Sequence, residues 1–402
     1  MKPSADLPGV GIPTMPATQA PRGGAGWLDA VRALRDRLVA NPGFRRAAAA
    51  FPLTRPIAHR RARALFDLVA GFVYSQVLTA CVRLRVFEIL AESPSTAADL
   101  AKRLSLTEEA ARRLLDAAVS LRLLERRSGG RYGLGPLGGP LVGDRAIAAM
   151  VEHHAALYDD LRDPVALLRG EAGGELARYW PYAAAASPHA LAPESVASYS
   201  TLMSSSQPLV ADEILDAYPL RRHACLMDVG GGEGTFLAAA GLRTPSLRLM
   251  LFDLPAVAAR AGARLSAAGL GGRAQVFGGD FLADALPRGA DVASLVRVIH
   301  DHDDARALAI LRAVRAALPV DGTLLLAEPM AGTRGAEPMG DAYFGFYLLA
   351  MGRGQPRTPE ALRGLLLQAG FDRIRSVRTH MPLQTRLLVA RAASMHQHQP
   401  QP

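Results

Sequence analysis

Asp228-Val-Gly-Gly-Gly-Glu-Gly234 places an acid ahead of glycines spaced as Asp-x-Gly-x-Gly-x-Gly. Gly230, Gly232 and Gly234 let backbone N–H groups approach a ligand closely, and a helix beginning behind them favours negative charge at its N-terminus. Two further acids sharpen the pattern. Asp253, in Leu251-Phe-Asp-Leu-Pro255, lies about 20 residues past the last glycine, where a carboxylate can accept both hydroxyls of a ribose. Asp280 and Phe281, in Gly278-Gly-Asp-Phe281, offer an acid and an aromatic ring to an adenine. The glycines alone fit a nicotinamide dinucleotide site equally well.

These residues need a frame that brings them to one edge. From residue 224 short apolar runs (Ala224 to Val229, Leu247 to Phe252, Ala274 to Phe277, Asp291 to Ile299, Thr323 to Ala327) alternate with helical stretches (Thr235 to Leu242, Ala256 to Ala268, Asp303 to Leu318, Pro359 to Ala369). That alternation predicts an α/β fold, a doubly wound parallel sheet with the glycine turn and both acids at successive strand ends. Two last strands, about Asp372 to Thr379 and Thr385 to Ala392, have no helix between them, so one must run antiparallel.

Upstream, an apolar helix is expected from about Ala64 to Ala91, with apolar residues almost all round and so in need of a second subunit as cover. Ser95 is read as the cap of the next helix, with Leu100 and Leu104 inward, and Thr107-Glu-Glu as the start of another. Leu123 to Arg127, the Ser128-Gly-Gly turn and Arg131 to Leu134 read as a hairpin. Helix, helix, hairpin is the winged helix-turn-helix pattern. A DNA-binding regulator is therefore a rival reading, but Arg112, Arg113 and Arg122 share the candidate recognition helix with Glu108, Glu109 and Asp116, whereas phosphate binding needs a basic excess. No nucleic-acid partner is expected.

The resulting layout is a disordered leader and basic arm over 1–63, a helical winged-helix dimerisation domain over 64–143, a helical linker and substrate-capping region over 144–220, a ligand-binding α/β domain over 221–392 and a polar tail over 393–402. With 402 residues, half of them apolar, the chain can bury a large core. No apolar run is unbroken for the ~18 to 20 positions of a membrane span. The first 26 residues hold five prolines and five glycines without a signal-like apolar core. Cys81 and Cys225 lie far apart, which suits neither a disulfide framework nor a cysteine metal site, and a reducing cytosol is the expected compartment. The charge of +9 is uneven. Residues 1–63 carry eleven basic against three acidic side chains, and the other 339 residues sum to +1. A basic arm of this kind could lie on an anionic membrane surface or be a solvated helical face.

Glycine turn and acids at successive strand ends resemble the S-adenosylmethionine methyltransferase fold. Arg297-Val-Ile-His-Asp-His-Asp-Asp304, followed by Ile310-Leu-Arg312, is similar to the His-Asp-Trp-x-Asp segment of the plant caffeate-type and acetylserotonin-type O-methyltransferases. The resemblance implies S-adenosylmethionine as methyl donor, a winged-helix region forming an intertwined homodimer, and His300 as the base that deprotonates the acceptor hydroxyl, with Asp301 beside it and Glu328 of Leu326-Ala-Glu-Pro329 orienting it. Histidine suits the task because its ordinary pKa is near neutral. His302 stands where the family has tryptophan, a change in packing. Met203, within the Tyr199 to Ser205 segment, matches a family methionine beside the donor and the acceptor.

The family's second carboxylate falls at Pro356 in Gly352-Arg-Gly-Gln-Pro-Arg-Thr358, leaving Gln355 as a partial substitute at best. The segments His300-Asp-His-Asp-Asp, Glu328-Pro-Met, Gly340 to Met351 and Tyr179-Trp-Pro-Tyr182 resemble, more narrowly, the purple-bacterial carotenoid O-methyltransferases of the hydroxyneurosporene and demethylspheroidene type. That implies a lipophilic acceptor hydroxylated at the end of a long polyene, with Tyr343 to Met351 lining an apolar tunnel. A small phenol or polyketide is the alternative acceptor. No metal is expected.

Overall fold

The computed structural model describes residues 26–171, 174–179, 207–382 and 385–394. It divides into two compact units, one ending at Val77 and one beginning at Leu78.

The first unit holds helices α1 (Gly26–Ala40) and α2 (Pro42–Ala50) and most of α3 (Arg55–Arg83). Asn41 separates α1 from α2 and caps the latter, its side chain accepting from the Gly43 and Phe44 amides at 2.8 and 3.1 Å, with Pro42 in the first turn where a missing N–H is harmless. The basic arm is thus helical over its described part, and the boundary expected at residue 63 falls inside α3. Nothing breaks the helix there, since Pro56 sits in its first turn. The expected Ala64 to Ala91 helix is corrected at its other end. It stops at Arg83, the chain turns through Arg85 in the left-handed region (φ 55°), and α4 (Val86–Glu92) follows. An 18-residue window of α3 has mean hydropathy 1.6 and is 6% buried, so length and composition alone would let this helix cross a membrane.

The winged-helix pattern is present. Thr107 caps α6 (Glu108–Ser120), accepting from the Ala110 amide at 3.2 Å. The cap of α5 (Ala97–Leu104) is Thr96, one residue later than expected. Ser95 is drawn into a two-residue strand β1 (Ser95–Thr96), opposite Tyr132 of the hairpin β2 (Leu124–Arg126) and β3 (Arg131–Leu134). Leu100, Leu104, Ala111, Leu115 and Ala118 are buried between the elements. Arg112 and Arg113 are engaged by Glu108 and Glu109 one turn back, and Arg126 by Asp116 at 2.7 Å. These pairs spend the helix's basic side chains locally. Next come α7 (Arg145–Asp160), two short helices at Pro164–Leu168 and Glu175–Tyr179, and a helix over residues 207–217.

The last 170 or so residues build a seven-stranded sheet from β4 (Cys225–Val229), β5 (Arg248–Asp253), β6 (Ala274–Gly278), β7 (Val292–Val296), β8 (Thr323–Glu328), β9 (Phe371–Val377) and β10 (Arg386–Ala392), in the order β6-β5-β4-β7-β8-β10-β9. β10 alone is antiparallel to its neighbours β8 and β9. β4, β7 and β8 are buried along their whole length, as strands covered on both faces must be. One face packs on helices Asp304–Ala317 and Pro359–Gln368, the other on residues 207–217 and helices Thr235–Arg243 and Pro255–Ala267. β7 is shorter than its apolar run. Arg297 takes a left-handed φ of 58° and turns the chain into a 3-10 turn, Ile299–Asp301. The sheet order reverses between β4 and β7, and a ligand crevice opens beyond the carboxyl ends at such a switch point.

Candidate active site

The glycine loop leaves β4 at that switch point. Gly230, Gly232 and Gly234 all have positive φ (68°, 57° and 77°), which L side chains rarely adopt. A Cβ at Gly230 would meet Val298 at 2.8 Å, whereas one at Gly232 would enter open space. Gly234 leads into helix Thr235–Arg243, aiming that helix's free N–H groups at the loop.

Asp253 ends β5 against the loop. Its Oδ2 accepts from the Gly232 amide at 2.7 Å and its Oδ1 from the Leu254 amide at 2.7 Å, which leaves lone pairs on both oxygens. Burial lifts its pKa to about 6, and the two amides partly offset the rise. Asp280 follows β6 and accepts from the Leu282 amide at 2.9 Å, while the Phe281 ring lies 3.8 Å from a Cβ placed on Gly230. The two acids, the ring and the loop therefore share one edge of the sheet.

Asp228 sits differently from these, beneath the loop and only 1% exposed. Its Oδ1 accepts from the Ser294 hydroxyl at 2.6 Å, and its buried Oδ2 has no hydrogen-bond partner among the described residues, nor does the buried Thr235 Oγ1. Burial raises the Asp228 pKa to about 7. Ser294, in the middle of β7, carried no signal of its own in the sequence. Met203 lies outside the described residues, as do Trp180 to Tyr182.

His300 stands on the 3-10 turn after β7, and Glu328, the last residue of β8, fixes both turn and ring. Glu328 Oε1 accepts from the Val298 and Ile299 amides at 3.1 and 2.7 Å, and its Oε2 pairs with His300 Nδ1. Asp301 Oδ1 is 3.2 Å from His300 Nε2. All three side chains are buried. Burial by itself would push the His300 pKa down, but Asp301 and Glu328 outweigh it and the net shift is upward. Asp301 is lifted to about 6, by burial first. His302, in the tryptophan position, packs edge-on to Phe281 with centroids 5.5 Å apart, and burial pushes it down to about 4, a neutral packing ring.

Gln355 is no substitute for the second carboxylate. Its amide donates to Asp304 at 2.8 Å, and only its backbone N–H reaches the turn, at the His300 carbonyl (2.9 Å). The group that completes this corner is Arg357, which no motif in the sequence marks. Its buried guanidinium donates to the Ile299 carbonyl at 2.9 Å, the His302 carbonyl at 2.7 Å and Asp304 at 2.8 Å.

A wall of aromatic rings faces His300. Pro338–Tyr343 is π-helical, a geometry frequent at functional sites, and runs into helix Phe344–Ala350. Phe344 meets the His300 ring edge-on at 5.9 Å and Tyr343 at 5.0 Å. Tyr343 and Tyr347 bond through their hydroxyls to His154 (2.8 Å) and His153 (2.9 Å) of α7. Burial holds both histidines below their ordinary value, His153 at about 4, and pushes Tyr343 up to about 12, so the wall is neutral around pH 7. The adjacent histidines at 153 and 154, and two tyrosines one helical turn apart, were the available signals.

A doubly wound sheet with this glycine loop, two strand-end acids and a histidine clamped by a carboxylate defines a methyltransferase of the S-adenosylmethionine-binding type. Residues 158–372 match the O-methyltransferase domain and residues 66–144 the O-methyltransferase dimerisation domain, and the chain belongs to this family of S-adenosylmethionine-dependent O-methyltransferases. It is 45% identical to a demethylspheroidene O-methyltransferase of Cereibacter sphaeroides over 88% of this chain and 92% of that one. A demethylspheroidene O-methyltransferase of Rhodobacter capsulatus is 41% identical over 84% of each chain. The fold is shared with human N-acetylserotonin methyltransferase, solved in complex with S-adenosylmethionine (TM-score 0.64, 24% identity, 83% of this chain and 98% of that one).

Proposed function

We propose that this protein, as a homodimer, transfers the methyl group of S-adenosylmethionine to the hydroxyl of a hydroxylated carotenoid in carotenoid biosynthesis. The observation that carries the reading is a buried histidine whose Nδ1 is held by Glu328, with the Asp301 carboxylate beside its Nε2 and a neutral aromatic wall facing it. The two bacterial relatives supply the acceptor class.

The residues fit the donor. The three glycines of the loop hold positive φ, the buried Asp228 Oδ2 and Thr235 Oγ1 on either side of the loop in sequence have no hydrogen-bond partner among the described residues, and Asp253 has lone pairs free for ribose hydroxyls. Asp280 and Phe281 would hold the adenine. When bound, S-adenosylmethionine supplies an activated methyl electrophile. His300 takes the proton of the acceptor hydroxyl at Nε2 as the oxygen attacks in line. Glu328 keeps the ring oriented, and with Asp301 it stabilises the imidazolium that forms. Tyr343 and Phe344 would give an apolar acceptor a surface to lie on, with Tyr347 packed behind them, while presenting no charge to it. The dimer would cover the exposed side of α3, where Leu68 and Phe72 are 81% and 68% exposed within one chain.

Purified protein given S-adenosylmethionine and a terminally hydroxylated carotenoid should yield the methyl ether. His300→Ala should lose about 10²- to 10⁴-fold in kcat with little change in donor affinity. Turnover of a small phenol with no carotenoid product would transfer the acceptor assignment to phenols, and full activity in His300→Ala would remove the base.

A further inference from the structure

We infer that α1, α2 and the start of α3 form a docking surface for an anionic lipid bilayer, on which the protein rests peripherally. The inference does not depend on the identity of the acceptor.

Three observations converge on it. First, α1 is amphipathic in a specific way. At 100° per residue, Trp27, Val31, Leu34 and Leu38 fall on one stripe, and they are 65%, 54%, 59% and 41% exposed. Arg35 and Arg37 fall on the two edges of that stripe, while Asp29 and Asp36 fall on the far side. An apolar stripe edged by arginine, with acids only on the far side and one of them, Asp36, in an exposed pair with Arg35, is how a helix lies in the headgroup layer of a membrane, apolar face down and basic edges on phosphates.

Second, charge accumulates on the same unit. Residues 26–63 hold nine arginines against Asp29 and Asp36, a net +7. Six of the nine (Arg37, Arg45, Arg46, Arg55, Arg60 and Arg61) have no acidic partner among the described residues, and the pairs made by Arg32, Arg35 and Arg63 are exposed ones of small worth. Phe44, Phe51, Leu53 and Ile57 add exposed apolar groups along this basic stretch.

Third, a second copy of the chain offers the wrong complement. The family's dimerisation domain begins at residue 66, past these elements. Within 66–144 there are ten basic against nine acidic side chains, a net +1, and so no net negative charge to balance seven surplus positive ones. A bilayer rich in anionic headgroups supplies what that domain does not, each arginine near such a surface adding to the attraction.

Flotation of the full-length protein with vesicles of phosphatidylcholine, or of phosphatidylcholine containing one-third phosphatidylglycerol, tests this. The protein should float with the anionic vesicles, stay behind with the neutral ones, and be released by high salt. Leu34→Asp on the stripe, and Arg35→Glu combined with Arg37→Glu on its edges, should each weaken vesicle binding at least roughly tenfold. Both sites are on the exposed surface of α1, so circular dichroism and the oligomeric state should stay as in the wild type. Equal flotation with both kinds of vesicle, or with neither, would overturn the inference. So would a Leu34→Asp protein whose light scattering drops to that of a monomer, since the stripe would then be meeting a second copy.

Discussion

Asp301 Oδ1 lies 3.2 Å from Nε2 of His300, the ring nitrogen left over once Glu328 has taken Nδ1. Glu328 thus holds the ring by its hydrogen bond, while Asp301 stands beside Nε2 as a nearby charge and leaves that nitrogen's lone pair for the proton of the acceptor. Gln355, the residue nearest the missing family acid at Pro356, is turned away to Asp304. The second negative charge on the ring comes from the histidine's own neighbour in sequence.

That arrangement sets the pH dependence. His300 must be neutral to accept a proton, and its pKa is raised, so activity should fall as pH drops through a value above the ordinary 6.5 of histidine. Glu328→Gln removes one of the charges that raise it. The acid limb of the kcat/KM profile should then move to lower pH, even though kcat itself falls at least tenfold because the imidazolium loses its counter-charge. Rate profiles between pH 5 and 9 check this, and an acid limb that stays in place in the variant would contradict it.

The donor site gives a simpler test. Asp253→Ala should raise the dissociation constant of S-adenosylmethionine tenfold or more, since each charge-assisted bond to a ribose hydroxyl is worth about 1.5–3 kcal/mol. Asp253 also holds the Gly232 amide, so Asp253→Asn, which keeps an acceptor for that bond, should lose less. Titration calorimetry on the two variants separates ribose binding from loop support.

Asp228 predicts a stability effect of definite sign. Its folded pKa is about 7 against 3.8 for the ordinary carboxyl, so its burial costs progressively more stability as pH rises from about 4 to 7. Asp228→Asn abolishes that cost, no more than roughly 4 kcal/mol at full ionisation. In the unliganded protein the melting temperature of the variant, relative to wild type, should climb between pH 5 and pH 8. Scanning calorimetry at the two pH values would show a flat difference if the carboxyl is not what titrates.

Much of this was legible because the signals were local. Buried parallel strands must be nearly all apolar, and β4, β5, β7 and β8 read that way, while glycines that need positive φ cannot be replaced at little cost. What escaped was decided by long-range geometry. Ser95 could cap a helix as well as Thr96 does, and only pairing with Tyr132, 37 residues later, removes it from that role. Arg357 is 58 residues from the Ile299 carbonyl it holds, and Tyr347 is 194 residues from His153, separations at which no periodicity links a residue to its partner. The break at Arg85 was hidden too, because an arginine in the left-handed region leaves no mark in an apolar pattern.

The dimer can be tested on α3. Phe72→Arg puts a charge into a surface that is 68% exposed within one chain and lies inside the dimerisation domain. Light scattering should find monomer or aggregate in place of dimer, with low activity. A wild-type protein that is monomeric at micromolar concentration would refute the assembly.

Arg357 bonds to the turn that carries His300 and acts through it, as a positioning residue. Its guanidinium is buried, makes three directed bonds to residues 299–304, and ties the segment after Met351 to the turn that carries His300. Lysine can bring the charge but not the planar fork, so Arg357→Lys leaves at least one carbonyl without its donor and lets the turn shift. A displacement of about 1 Å at the base can cost on the order of 10²-fold in rate. The donor cradle on β4, β5 and β6 shares none of these bonds, so kcat should fall by about that factor while the KM for S-adenosylmethionine stays within about twofold. In Arg357→Ala, added methylguanidine should restore part of kcat by refilling the same three positions, a recovery that a merely destabilised fold would not show. Steady-state kinetics with and without the rescuing cation decide the matter, and a Lys variant at the wild-type rate would leave Arg357 with a packing role only.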